Sequence, residues 1–184
     1  MGTTIALIVV AVITLLWFVY TYNRLARLSV RAEESWAVID TQLKRRWDLI
    51  PNLIQTVRGY AAHEQAVFSR VAEARADALE SETPGDRAIA EHALKDALFP
   101  LFAIAEAYPE LRANEGFLRM QETLVDAEDR IQRSRAYYNA VVRQLNMAVL
   151  TFPRMLVAAI FRFRPRDFYA LPEEDMSTQP KVKL

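Results

Sequence analysis

No charged side chain occurs between Gly2 and Asn23, and residues 5–19 are almost wholly aliphatic or aromatic. About 20 such residues, rising about 1.5 Å each in a helix, cross the roughly 30 Å hydrocarbon core of a bilayer. Trp17, Phe18, Tyr20 and Tyr22 gather at the C-terminal end of the run, where an aromatic belt would meet the headgroups. A cleaved signal peptide would open on Lys or Arg, carry a shorter apolar run and end at a small-residue site. The segment has none of these features, so residues 1–23 are expected to be an uncleaved transmembrane anchor. Arg24, Arg27 and Arg31 follow within two turns, and such flanks stay in the cytoplasm. Met1 is then outside and the remaining chain cytoplasmic.

Beyond the anchor, Leu25, Leu28, Ala32, Trp36, Ile39, Leu43, Trp47 and Ile50 recur in steps of three or four. That is the seam of a packed, coiled-coil-like helix. Neither Gly nor Pro interrupts it before Pro51, so one rod is expected from the membrane to about Leu49. Pro51 disfavours helix at Ile50 but suits the first turn of a new one. A second helix is expected over about 52–79, with Leu53, Val57, Tyr60, Val67, Val71, Ala74 and Ala78 inward. The turn composition of "SETPGD" (81–86) leads to a third helix, about 86–107, with Ile89, Ala93, Ala97, Leu101, Ile104 and Ala105 inward. Pro100 should kink this helix without stopping it. Asn114 is a candidate N-cap for a fourth helix over about 115–149, which buries Phe117, Leu124, Ile131, Tyr138, Val142, Leu145 and Val149. No stretch alternates with period two, so strands are not expected. The chain reads as all-α: an N-terminal transmembrane helix continuing into an antiparallel four-helix bundle (24–150), then an amphipathic segment and polar tail (151–184).

Composition narrows the chemistry. The chain has no cysteine, which removes thiolate catalysis and Cys-based metal sites. Four glycines leave no phosphate-cradling loop, and 23 basic against 23 acidic residues give no bulk charge for nucleic acid. Neither His63 nor His92 has a glutamate three residues before it, as a di-iron bundle requires. No catalytic, cofactor-binding or metal-binding residue is therefore assigned, and no cofactor is expected. Polar residues do fall near the seams. Glu128, Arg135 and Asn139 lie along the fourth helix, while Arg45, Arg46, Asp48 and Asn52 crowd the junction "KRRWDLIPN" (44–52). A charge on an inner face is costly unless paired, so these seven residues form a candidate structural clamp. The alternative is a solvated face. An Asp48–Glu128 pair could in principle do acid–base work, but nearby arginines would hold both carboxyls ionised.

Several blocks carry a likeness. "YNRL" (22–25), "AEESWAVIDTQLKRRWDLIPNLIQTVRGYAAHE" (32–64), "EARADA" (73–78), "AEDRIQRSRAYYNAVVRQLN" (127–146) and "FPRMLVAAIFRFRPRDFYAL" (152–171) together resemble the LemA family of bacterial proteins. The resemblance runs over nearly the whole chain, and the Q-L-K-R-R-aromatic-D-L-I-P-N block is its most specific part. It implies a single-pass protein of the bacterial inner (plasma) membrane with a cytoplasmic helical domain and no established enzymatic activity. Some relatives are associated with building organelle membranes such as magnetosomes, which implies membrane organisation.

The expected function is that of a non-enzymatic, self-associating membrane scaffold that organises or remodels bacterial membrane. Its expected partners are the lipid bilayer and further copies of itself, with a second membrane protein as a further candidate. An adaptor for a partner helix of a signalling or envelope protein is the alternative, and an enzyme built on an Asp/Glu/Arg cluster a remote one. Lipid contact is expected of Trp17, Tyr20, Tyr22 and Arg24. It is expected also of Phe152, Arg154, Phe161, Arg162, Phe163 and Arg164, whose aromatics and guanidiniums suit a headgroup layer. The competing reading is that these phenylalanines cap the bundle.

Overall fold

The computed structural model describes residues 1–170. It contains six helices: α1 (Gly2–Arg58), α2 (Gln65–Glu80), α3 (Pro84–Ala107), α4 (Pro109–Arg112), α5 (Glu115–Leu150) and α6 (Arg154–Ile160). No strand occurs among the described residues, and the chain is all-α. The expected polar tail lies outside the described residues.

Helix α1 is uninterrupted from Gly2 and does not end near Leu49. Pro51 sits inside it, and the helix stops only at Arg58. The expected second helix over 52–79 is thus corrected: its first turns belong to α1, and α2 begins at Gln65. The break falls at Gly59, a poor helix former. There the amides of Gly59 and Tyr60 turn to the carbonyls three residues back, of Thr56 and Val57. Helix α3 runs through Pro100. Its start is set by Thr83, whose hydroxyl accepts from the Asp86 amide at 3.1 Å, with Pro84 in the first turn. Asn114 caps α5 as expected, accepting from the Phe117 amide at 3.0 Å.

The described residues pack as two compact units, and α1 and α5 each contribute to both. One unit combines Met1–Ala37 with Tyr137–Arg166. Leu25, Leu28 and Ala32 are buried there, as are Val142, Leu145, Val149 and Val157. Trp36 packs on Tyr138 at 5.4 Å between ring centroids. The other unit combines Val38–Ala136 with the stretch from Asp167. It gathers the later part of α1, α2, α3, α4 and the first part of α5 around Leu43, Ile50, Phe68, Leu94, Leu101 and Leu124. This division by packing is a separate matter from a division by solvent at residue 23.

The inward face of α3 keeps Ala97, Leu101 and Ala105 of the expected stripe and differs from it toward the start of the helix. Ala88, Glu91, Leu94, Leu98, Leu101 and Ala105 face the core, while Ile89 and Ala93 are exposed. Alanines on nearly every side of this helix allow two apolar phases, and the observed one buries Leu94 and Leu98 together.

Candidate functional site

The polar clamp is built where the α1 seam admits two residues side by side. Leu43, Trp47 and Ile50 set the inward stripe, and Arg46 adjoins Trp47 three residues beyond Leu43, so both turn inward. Arg46 is only 5% exposed. Its Nη1 donates to Glu128 Oε2 of α5 at 2.6 Å, and its Nη2 lies 2.7 Å from Glu91 Oε2 of α3. The second contact is one of charge, without an aligned hydrogen bond to that oxygen. Trp47 Nε1 donates to the other Glu91 oxygen at 2.5 Å. Gln132 holds the outer oxygen of Glu128 at 3.0 Å. One guanidinium and one indole thus tie α1 to α3 and α5. Removing either partner of such a buried pair strands a charge, a cost of about 3–5 kcal/mol.

Burial pushes the Glu91 carboxyl above the usual carboxylate range, against the opposing pull of Arg46 and of the Trp47 hydrogen bond. Desolvation wins because only 7% of this side chain is exposed. Tyr169 is shifted the same way, first by burial and then by the charge of Glu91. Both border a cavity of about 300 Å³ together with Arg46, Lys95, Glu128 and Arg135. Arg135 Nε donates to the Tyr169 carbonyl at 3.1 Å, and its guanidinium lies 5.9 Å from the centre of the Tyr169 ring.

Of the seven residues expected in the clamp, the structure joins Arg46 and Glu128 directly and sets Arg135 beside them on the cavity wall. Arg45, Asp48 and Asn52 are exposed, and the side chains of Arg45 and Asp48 form no ion pair among the described residues. They stand on the outer face of α1 because Arg46 and Trp47 take the inner one. Pro51 and Asn52 do not start a helix. Asn139 belongs to the other unit. Asp48 does not line the cavity that Glu128 borders; the carboxyl that does is Glu91.

The first unit holds the expected lipid-contact residues. Helix α6 turns Val157 and Ala158 inward and leaves Met155, Leu156 and Ile160 exposed, as are Phe152 and Phe161. The Phe161 ring packs on Tyr22 at 4.6 Å and on Phe18 at 5.8 Å, and Phe163 packs on Tyr22 at 5.8 Å. Tyr20, Arg24, Arg162 and Arg164 are exposed, while Trp17, Arg154 and Phe163 are half-buried. Arg162 closes α6 at φ 58°, the left-handed region where glycine is usual. The amide of Arg162 reaches the Ala159 carbonyl at 3.3 Å, and that of Phe163 reaches the Ala158 carbonyl at 2.9 Å. Beyond this turn, Asn146 brackets Arg166: its Oδ1 accepts from the Arg166 amide and its Nδ2 donates to the Arg166 carbonyl, both at 2.8 Å. The aromatic segment is thereby fixed beside the end of the apolar run.

The described part of the chain is long and apolar enough at its N-terminus to cross a membrane, and no other described helix is. The model of the LemA family matches residues 35–184. The chain belongs to the LemA family. Its curated relatives include magnetosome protein MamQ 2 and magnetosome protein MamQ 1 of Paramagnetospirillum magneticum. Each is 24% identical over 198 residues, covering 91% of this chain and 73% of the relative. Magnetosome protein MamQ of Magnetospirillum gryphiswaldense is 25% identical over the same coverage. With the apolar part of α1 fully exposed, this LemA-family chain is membrane-associated: that surface is stable only in lipid or under a partner.

Four residues that organise the two units carry no signal of that role in the sequence. Glu91 is a charged residue between Ile89 and Ala93, the positions expected to face inward, so the apolar pattern does not pick it out. Arg75 and Tyr169 lie inside blocks that carry the family likeness, but nothing in their spacing marks them. Asn146 reads as a polar helix residue until the returning segment is in place.

Proposed function

We propose that this LemA-family protein is a non-enzymatic membrane scaffold, anchored by α1, self-associating, and organising or remodelling bacterial membrane. The observation that carries this reading is the packing of Phe161 on Phe18 and Tyr22. It sets the exposed Met155, Leu156 and Ile160 at the level where the apolar run of α1 ends. A second apolar surface beside an anchor lets the protein enter the headgroup layer at two places, which wedges or gathers lipid. Val30, Tyr137, Met147 and Leu150 are exposed apolar residues of the same unit and offer surface for a second copy. The magnetosome proteins among its relatives fit a role in membrane organisation. On this reading the bundle is cytoplasmic at the inner membrane, because Arg24, Arg27 and Arg31 flank the anchor.

The test is full-length protein in liposomes, viewed by electron microscopy and cross-linked in parallel. Wild type is expected to cluster or deform the vesicles and to cross-link into oligomers. Leu156→Asp/Ile160→Asp, which leaves the core intact, is expected to insert but leave vesicles smooth. Monomeric protein on undeformed vesicles in the wild type would overturn the proposal.

The adaptor alternative has one observation in its favour. A groove of about 360 Å³ between α3 and α5 is lined by Leu98, Phe99, Phe102, Leu124 and Val125, with Phe99 76% exposed. It suits an apolar helix of a partner membrane protein. Loss of a specific cross-linked partner in Phe99→Asp, with vesicle remodelling unchanged, would favour the adaptor.

A further inference from the structure

Ile13, Leu16, Tyr20, Arg24, Arg27 and Arg31 follow one another along α1 in steps of three and four, so they share one stripe of the helix. All six are exposed. The stripe is apolar to Tyr20 and cationic from Arg24 onward, which complements a phospholipid: acyl chain, then anionic phosphate.

The cationic half is more than a charged face. Arg24, Arg27 and Arg31 line one cleft of about 290 Å³ with Tyr20, Asn23, Leu28 and Gln144 of α5. No carboxylate lines it among the described residues. None of the three arginines forms an ion pair among the described residues. Of the acidic residues that follow, Glu33 lies 3.8 Å from Arg166, and Glu34 stands about one turn beyond Arg31. Helical side chains lean toward the N-terminus of their helix, so these guanidiniums lean back toward Tyr20 and the apolar run. Asn23 and Gln144 add neutral hydrogen-bonding groups to the wall. The cleft is also separate from the aromatic contact of α6, since Phe18 and Arg27 lie about 180° apart at roughly 100° per residue.

We infer that this cleft binds the phosphodiester headgroup of an anionic phospholipid, whose acyl chain runs up the Leu16–Tyr20 stripe. Three arginines that form no ion pair among the described residues make an electropositive pocket, and guanidiniums suit phosphate oxygens. A zwitterionic lipid carries its own cation into the pocket and is disfavoured. The inference rests on the reading of residues 1–23 as a membrane anchor, and the experiment separates the two.

Full-length protein in neutral detergent is titrated with a phosphatidylglycerol that carries a fluorophore on its acyl chain. Unlabelled phosphatidylglycerol, phosphatidylcholine and inorganic phosphate serve as competitors. Phosphatidylglycerol is expected to compete at least about tenfold better than phosphatidylcholine, with inorganic phosphate ineffective and the preference weakening in high salt. Arg24→Gln/Arg27→Gln/Arg31→Gln should lose the preference, and each single variant should lose part of it. Arg70→Gln/Arg130→Gln/Arg133→Gln removes as many exposed charges elsewhere and should keep it. Insertion into phosphatidylcholine liposomes, scored separately, should be unaffected in both triple variants; failure there indicts the anchor and not the cleft. Equal displacement by inorganic phosphate would make the cleft a free-phosphate site and overturn the lipid assignment. A preference that survives the Arg24/Arg27/Arg31 substitutions, or is lost equally in the other triple variant, would overturn the site itself.

Discussion

Arg75 donates from Nε to the carbonyl oxygen of Trp47 at 2.8 Å. That carbonyl lies four residues before Pro51, which has no amide hydrogen to offer it. An arginine of α2 thus supplies the hydrogen bond that a proline removed from α1, and the helix continues through a residue that would ordinarily break it. Arg75→Met should destabilise the chain by about 1–2 kcal/mol, the cost of a part-buried carbonyl left without a donor. In a Pro51→Ala background the amide of residue 51 returns, and Arg75→Met should cost markedly less. Thermal melts of the four-member cycle measure the difference; an unchanged cost would place the role of Arg75 elsewhere.

Stability should depend on pH through Glu91. Burial raises its folded-state pKa, so the folded chain holds this proton more tightly than the unfolded chain does. Between the two pKa values the folded state binds more protons, and stability falls as pH rises through that interval. Acidification toward the ordinary carboxylate range should recover it. Glu91→Gln should flatten this part of the profile, since the amide still accepts from Trp47 Nε1. A melting-temperature profile unaltered by the substitution would remove Glu91 from the account.

Arg46→Met should be the most damaging single change in the clamp, at about 3–5 kcal/mol, because it strands Glu91 in the interior. Combining it with Glu91→Leu should recover a large part of the loss. Denaturant unfolding in detergent reads both, and equal stability of the single and double variants would count against a coupled pair.

Arg135→Leu should cost about 1–3 kcal/mol by leaving the Tyr169 carbonyl unserved. Arg143→Leu, at an exposed position of the same helix, should stay within about 0.5 kcal/mol. Matching thermal shifts would reduce Arg135 to a surface charge.

Arg162→Gly should raise thermal stability, because the left-handed backbone that costs a side chain about 1 kcal/mol costs glycine little. Vesicle binding should weaken at the same time through the lost cation. A variant that is both less stable and binds as well would contradict the reading of that turn.

The all-α class, the start of α1, the course of α3 and α5 and most of the apolar seams are legible in the residues themselves, whereas the end of α1, the start of α2 and the short helices α4 and α6 are not. An unbroken run of apolar residues fixes α1 at its start, and the steps of Phe117, Leu124, Ile131, Tyr138 and Leu145 fix α5, because helical periodicity is a local property. Asn114 was legible for the same reason: a cap is made within three residues. What tertiary structure decided was every choice in which local rules balance. Pro51 should end a helix, yet a distant arginine serves the orphaned carbonyl, so the break moves to Gly59. Two apolar phases were open to α3, and the one that brings Glu91 to Arg46 and Trp47 is selected by contact with α1. Which of Arg45 and Arg46 turns inward is set by the neighbouring Trp47. Asn146 acquires its partner only when the chain returns 20 residues later. Such residues gain their meaning from groups far away in sequence, and no local pattern encodes a partner.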